Sequence, residues 1–176
     1  EVCDESSFGE ISDMLHSNQV GIGLAINPDT ELPEWCYKFV ELLDQIIIMS
    51  VVPGKSGQKF IESTHEKTKR IAKDLREHKF EGYIEADGGV NLENIGACFE
   101  DGARAFVGGS AIIGQNDVRM IIKEFRNQVL ESRRRLLIKK AHDLGGTELV
   151  NSWIDLHVVG EKKDKLVQIA KELGFQ

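Results

Sequence analysis

The sequence predicts an α/β protein built on a parallel sheet, and three observations predict it. Four apolar runs each end at turn residues, amphipathic helical patterns separate them, and strand and helix patterns alternate regularly along the chain. The apolar runs are continuous rather than alternating, which is the pattern expected of strands buried on both faces.

The first run, Val20 to Ile26, stops at Asn27-Pro28, and the second, Gln45 to Val52, stops at Pro53-Gly54. The third, Phe80 to Ala86, stops at Asp87-Gly88-Gly89, and the fourth, Ala103 to Val107, stops at Gly108-Gly109-Ser110. A helical pattern from Pro33 to Leu43 groups Trp35, Phe39, Val40 and Leu43, and a charged one from Ser63 to His78 spaces Ile71 and Leu75 four apart. Leu92 to Glu100 places Ile95, Cys98 and Phe99 together. Asn116 to Lys140 opens on an Asn/Asp cap and carries Val118, Ile121, Ile122, Phe125 and Val129 at helical spacing. From about Ser132 no further strand pattern occurs. Leu149, Val150, Trp153, Ile154, His157 and Val158 form one amphipathic stripe beyond Gly145-Gly146, and Leu166, Val167, Ala170 and Leu173 form another. The expected organisation is an α/β unit over residues 1–131 and a helical extension over 132–176.

Bulk properties narrow the function. The chain has 176 residues, 41% hydrophobic and 29% charged, in the range of one ordinary globular domain, or one domain with an appendage. A net charge of −7 argues against a nucleic-acid partner, which calls for a basic face. It leaves room for a small anion held on backbone amides and a lysine or two. Cys3, Cys36 and Cys98 are an odd number without CxxC spacing, so reduced thiols in a cytoplasmic protein are expected. No apolar run approaches the roughly 20 residues of a membrane span, and no signal peptide is visible. The chain opens Glu1-Val2-Cys3-Asp4 without an initiator methionine, as a processed, trimmed or fragmentary chain would.

In parallel α/β proteins, ligands bind on the loops that follow the strands. Three of the four predicted strands end in glycine-containing loops. Glycine lets amides approach an anion closely and permits the positive φ of an amide nest. Gly88-Gly89 and Gly108-Gly109-Ser110 therefore suit a phosphate, although glycine content alone does not separate that role from tight turns. Asp87, a carboxylate at the end of a buried strand, suits a metal ligand or an acid/base group. Its plainer alternative is a helix cap, for which it lies somewhat early. Lys55 can offer charge to an anion or sit solvated in its loop.

Four segments carry a resemblance. Gly23-Leu24-Ala25-Ile26-Asn27-Pro28-Asp29-Thr30 resembles the sixth-strand motif of ribulose-phosphate 3-epimerases, and Met49 to Phe60 resembles their seventh-strand signature MSVxPGxxGQxF. Ala86-Asp87-Gly88-Gly89-Val90-Asn91 resembles VDGGIN, and Val107-Gly108-Gly109-Ser110-Ala111-Ile112 resembles VAGSAI. The four occur in order, between about Val20 and Ile113. The resemblance implies a (β/α)8 TIM-barrel fold of which this chain holds about the last four βα units.

It further implies epimerisation of a ketopentose phosphate at C3 in carbohydrate metabolism, through an enediolate stabilised by a divalent metal (Zn, Fe, Mn or Co). Asp87 matches the second of the family's two acid/base aspartates and a metal ligand. Met49, Gly54, Lys55, Ser56 and Gly57 match substrate-facing positions and the closing loop, and Gly88, Gly89, Gly109 and Ser110 match the phosphate site. A related hexulose- or allulose-phosphate epimerase shares the loop motif. A non-catalytic sugar-phosphate-binding or structural half-barrel is the reading of a different class.

The departures are specific. Lys55 and Ser56 stand where the family reads an aromatic and a glycine. The HxDxMDG and HLM motifs that bear the other aspartate and the metal-binding histidines do not occur in this sequence, and His16, His65, His78, His142 and His157 are poor substitutes. Glu1-Val2-Cys3 resembles the end of a fifth strand. A whole barrel takes roughly 250 residues or a little less, so the expected partners are a small sugar phosphate and either a second copy or a missing N-terminal half.

Overall fold

The computed structural model describes residues 4–143. Expectations for Glu1–Cys3, for Gly145-Gly146 and for the stripes beyond residue 143 lie outside the described residues. The chain forms two compact units, Glu1–Val129 and Leu130–Gln176.

In the first unit, α1 (Glu5–Ser17) leads into β1 (Gly23–Ile26), a 3₁₀ segment (Glu34–Leu42) and β2 (Gln45–Met49). Next come α2 (Thr64–Glu77), β3 (Tyr83–Asp87), α3 (Ile95–Asp101), β4 (Ala105–Val107), α4 (Gly109–Ile113) and α5, which runs Val118–Asp143 and so continues past this unit. The four strands are parallel and pair in sequence order, β1-β2-β3-β4. Consecutive parallel strands joined through helical crossovers are the wall of a (β/α)8 barrel, so the predicted fold class is the observed one.

Helix α1 was absent from the sequence expectations. Its start is nonetheless encoded: Asp4 caps it by accepting from Ser7 N at 2.8 Å and Ser7 Oγ at 2.7 Å. Phe8 and Ser12 lie on its buried side. The Pro33–Leu43 pattern forms a 3₁₀ segment instead of an α-helix, interrupted where Phe39 leaves helical geometry at φ −110°, ψ 15°. That break lets Trp35 and Phe39 both meet Phe8, at centroid distances of 5.3 and 5.4 Å.

The strand expectation needs one correction. Ile46, Ile48, Ile84 and Ala86 are buried, and they alternate with partly exposed Gln45, Ile47, Met49, Glu85 and Asp87. One face of the sheet packs with Ile71 and Leu75 of α2 and Ile95 and Cys98 of α3 in a single core. The other face is open among the described residues. Continuous apolar sequence predicted cover on both sides because Ile47 and Met49 read the same as their buried neighbours.

Two ties position the strands. At the sheet's lower edge, Asp44 exchanges bonds with Ile22 (Ile22 N to Asp44 Oδ2 at 2.7 Å, Asp44 N to Ile22 O at 2.9 Å), and its carbonyl accepts from Tyr83 N at 3.1 Å. Gly82 allows that approach, since a Cβ there would stand 2.3 Å from the Asp44 carbonyl oxygen. At the upper edge, the buried Lys67 of α2 donates to the carbonyls of Asn27 and Thr30, with Pro28 O at 3.4 Å, and so clamps the loop after β1.

Burial depresses the Lys67 pKa, opposed by the charges of Glu31 and Asp29. Between that lowered value and the ordinary 10.5 the unfolded chain holds more protons than the folded one, so stability rises with pH there. Lys67→Met should erase that rise and, by leaving carbonyls without a donor, lower stability by about 1–3 kcal/mol in urea unfolding.

Candidate functional site

The site residues gather at the C-terminal end of the sheet. Met49 of β2, Asp87 of β3 and Val107 of β4 are register partners. Register partners in a parallel sheet point to the same face, so these three form the top row of the open face. Glu85 sits one row lower, opposite Ile47 and Ala105. Gln45 Nε2 donates to Glu85 Oε2 at 2.7 Å. Glu85 is held above the usual carboxylate range by burial first and by the Asp87 charge second, while Gln45 opposes the shift.

What holds Asp87 in place is mostly main chain. Its carbonyl accepts from Ser50 N at 2.6 Å, and the buried Ser50 hydroxyl lies 2.9 Å from the Asp87 carbonyl and 2.7 Å from that of Gly88. The chain then turns at Gly88 (φ +117°) and Gly89 (φ +66°). A Cβ on Gly88 would stand 2.4 Å from Val51 Cγ2, and one on Gly89 2.5 Å from Phe60 N. Both glycines are therefore demanded twice, by backbone angle and by close approach. Beyond them Asn91 Oδ1 accepts from Glu93 N at 2.8 Å, Asn94 Oδ1 accepts from Asn91 N at 2.8 Å, and Asn94 Nδ2 donates to Gly89 O at 3.1 Å. This closed pair of asparagines fixes the loop into α3.

A cleft of about 660 Å³ opens beside this turn, lined among others by Gln58, Phe60, His65, Gly89, Asn91 and Ser110. Gly89, Gly109 and Ser110, all expected at a phosphate, share its wall. Gly109 has open space where a Cβ would be. The remaining expected residues lie elsewhere. Gly88 packs under the turn against Val51, while Met49 and Asp87 stand on the sheet face. Gly54, Lys55, Ser56 and Gly57 are exposed in the loop after β2, outside the cleft wall. Gln58 ties that loop from within, donating through Nε2 to Val52 O at 2.6 Å and Lys55 O at 2.8 Å.

The sequence reading passed over several residues of this region. Ser50 was visible as a lone polar residue closing an apolar strand. Asn91 and Asn94 were visible as two amides three apart after a glycine pair. His65 and its buried partner Asp101 lie 36 positions apart in different helices, and no local signal joins them. Cys98 offers no nucleophile, since burial and then the Asp101 charge push its thiol up to about 12.

A divalent ion takes four to eight ligands. Among the described residues no group of three or more His, Cys, Asp or Glu is placed to hold one. Asp87 alone does not make a metal centre. Among the same residues, no helix is long and apolar enough to cross a membrane.

Comparison with known proteins bears on these positions. Residues 5–113 match the model of the ribulose-phosphate 3 epimerase family. The ribulose-phosphate 3-epimerase of Escherichia coli strain K12 is 39% identical over 116 residues, 66% of this chain and 51% of that protein. That of Bacillus subtilis strain 168 is 38% identical over 114 residues, 64% of this chain and 52% of that protein. The chain thus spans about half the length of the curated relatives it matches. A crystal structure of 3-hexulose-6-phosphate synthase superposes with a TM-score of 0.47 at 18% identity, covering 72% of this chain and 57% of that one.

Two outcomes follow from the geometry. Gly88→Ala and Gly89→Ala should each cost about 3 kcal/mol or more through strain and overlap, whereas Gly57→Ala, with open space around it, should cost about 1–2 kcal/mol. Chemical denaturation of the three variants compares them directly. A raised folded pKa at Glu85 means that the folded state holds the extra proton, so stability falls as pH rises from 4.5 through the raised value. Glu85→Gln, which keeps an acceptor for Gln45, should flatten that part of the stability–pH curve.

Proposed function

Because this chain belongs to the ribulose-phosphate 3-epimerase family, we propose that it carries one acid/base group and the phosphate site of an isomerase acting on a ketopentose phosphate. The observation that carries this reading is the pairing of a carboxylate at a strand end, Asp87, with a cleft whose wall begins two residues further on, at Gly89. Gly89, Gly109 and Ser110 would receive the phosphate, supported by the cleft they share and by glycine's tolerance of close anion approach. Met49, next to Asp87 in the top row, would line the reacting carbons. Gly54, Lys55, Ser56 and Gly57 would serve as the loop that closes over the sugar, and Gly88 as the turn that aims the amides.

The chemistry asked of Asp87 is proton transfer. A carboxylate beside a C–H that is α to a ketone takes that proton, leaving an enediolate, and returns a proton to the carbon. Inversion requires that the two transfers occur on opposite faces, so Asp87 accounts for one face and a second acid serves the other. In the family a divalent metal stabilises the enediolate charge. Asp87 can fill one place in such a ligand set, and the remaining places require residues other than those described here.

The open face of the sheet and its terminal strands β1 and β4 favour closure by further barrel strands, from a second copy or from another segment. A light-scattering mass equal to one chain, with little exposed apolar surface, would remove that part of the reading.

The direct test is an assay on ribulose 5-phosphate with and without added divalent metal, in the protein that carries this chain. Asp87→Asn should reduce turnover by about a thousandfold or more, while phosphate affinity stays within about threefold. Exchange of the C3 proton with solvent deuterium at an unchanged rate in that variant would show the role to be wrong. Turnover of a hexulose phosphate in preference to ribulose 5-phosphate would move the assignment to the longer sugar.

A further inference from the structure

His65, in the first turn of α2, lines the same cleft as Gly89 and Ser110. Its Nδ1 makes a short contact with Oδ2 of Asp101, whose side chain is only 4% exposed, against 17% for His65 itself. The ring is fixed from a second side by Phe60, at a centroid distance of 4.8 Å. Asp101 is also 3.7 Å from Lys69 Nζ, so the buried carboxylate has a second partner besides His65. Glu62 Oε2 lies 3.7 Å from His65 Nε2, beyond hydrogen-bond range but within ion-pair range, on a side chain that is 83% exposed. The histidine is thus held at Nδ1 by Asp101, has the exposed Glu62 carboxylate near Nε2, and is one of the residues that line the cleft.

We propose that His65, oriented by the buried Asp101 carboxylate, is a side-chain contact to the phosphate bound in this cleft. The inference rests on the phosphate reading of the cleft and deepens it by adding a charge-dependent donor to the residues that line it. With Nδ1–H given to Asp101, the two protonation states of the ring behave oppositely towards an anion. The imidazolium donates Nε2–H to a phosphate oxygen, and such charge-assisted bonds are the stronger kind. The neutral ring presents a lone pair at Nε2 and repels the same oxygen. Binding is therefore tightest at low pH and weakens as the ring loses its proton. The charged groups around the ring are Lys59 and Glu62 from the loop after β2, Glu66 and Lys69 from its own helix, Asp101 from α3 and Glu93 from the loop after β3.

The experiment is an NMR titration of the whole 176-residue chain with inorganic sulfate, whose charge stays constant across the range, between about pH 5 and pH 8. The expected result is that amides of Gly89, Gly109 and Ser110 and the His65 ring resonances shift together with one dissociation constant, at least about tenfold tighter at the low end. His65→Gln should bind about tenfold more weakly at low pH and lose the pH dependence, with the same amides still moving. Asp101→Asn keeps an acceptor for Nδ1, so the His65 ring resonances should still shift with sulfate together with the cleft amides, an outcome that a merely structural role for His65 would not produce. If the amides move while the His65 ring does not, the proposal falls and the phosphate cleft stands. If no amide of the cleft moves in the unaltered chain, both fall. The ring resonances of the unaltered chain decide the matter even where a variant fails to fold.

Discussion

The C-terminal end of the sheet depends on one close backbone approach. Gly88 and Gly89 lie so near Val51 and Phe60 that no side chain fits between the two loops. That contact joins the loop after β2 to the loop after β3, and the buried Ser50 seals it with bonds to the carbonyls of Asp87 and Gly88. The placement of Asp87, the mouth of the cleft and the path into α3 all follow from it. A side chain at either glycine would force the loops apart and move every one of these features.

Two further ties, one at each edge of the sheet, supply rigidity by other means. Asp44 binds the beginnings of β1, β2 and β3 through one carboxylate and two main-chain groups. Lys67 reaches across from α2 to hold the loop after β1. Between these ties lies an apolar core on one face of the sheet only. Residues of the other face are free of core packing among those described, which leaves Asp87 and Glu85 on the accessible side.

Much of this was legible in sequence because it is local. Four apolar runs stopping at glycine or proline gave the strands in order, and four motifs gave Asp87 and the glycines around it. The cost of misreading was highest where cause and effect are far apart in the chain. Pro33–Leu43 has helical spacing, yet Trp35 and Phe39 turn to reach Phe8 some 30 positions earlier, and the segment tightens to a 3₁₀ form. The exposure of Ile47 and Met49 was hidden for a related reason: periodicity reports apolar character and says nothing about whether a covering layer is present. The His65–Asp101 contact joins two helices, and neither residue is unusual in its own segment.

One division of labour at the strand end has a wider meaning. At position 87 the main chain carries the ties to Ser50, while the carboxylate stands apart from them on the accessible face. Scaffold and side chain are thus separately specified within a single residue. Such a position behaves as a socket: its occupant can be exchanged over evolutionary time, giving new chemistry or none, without rebuilding the frame that presents it.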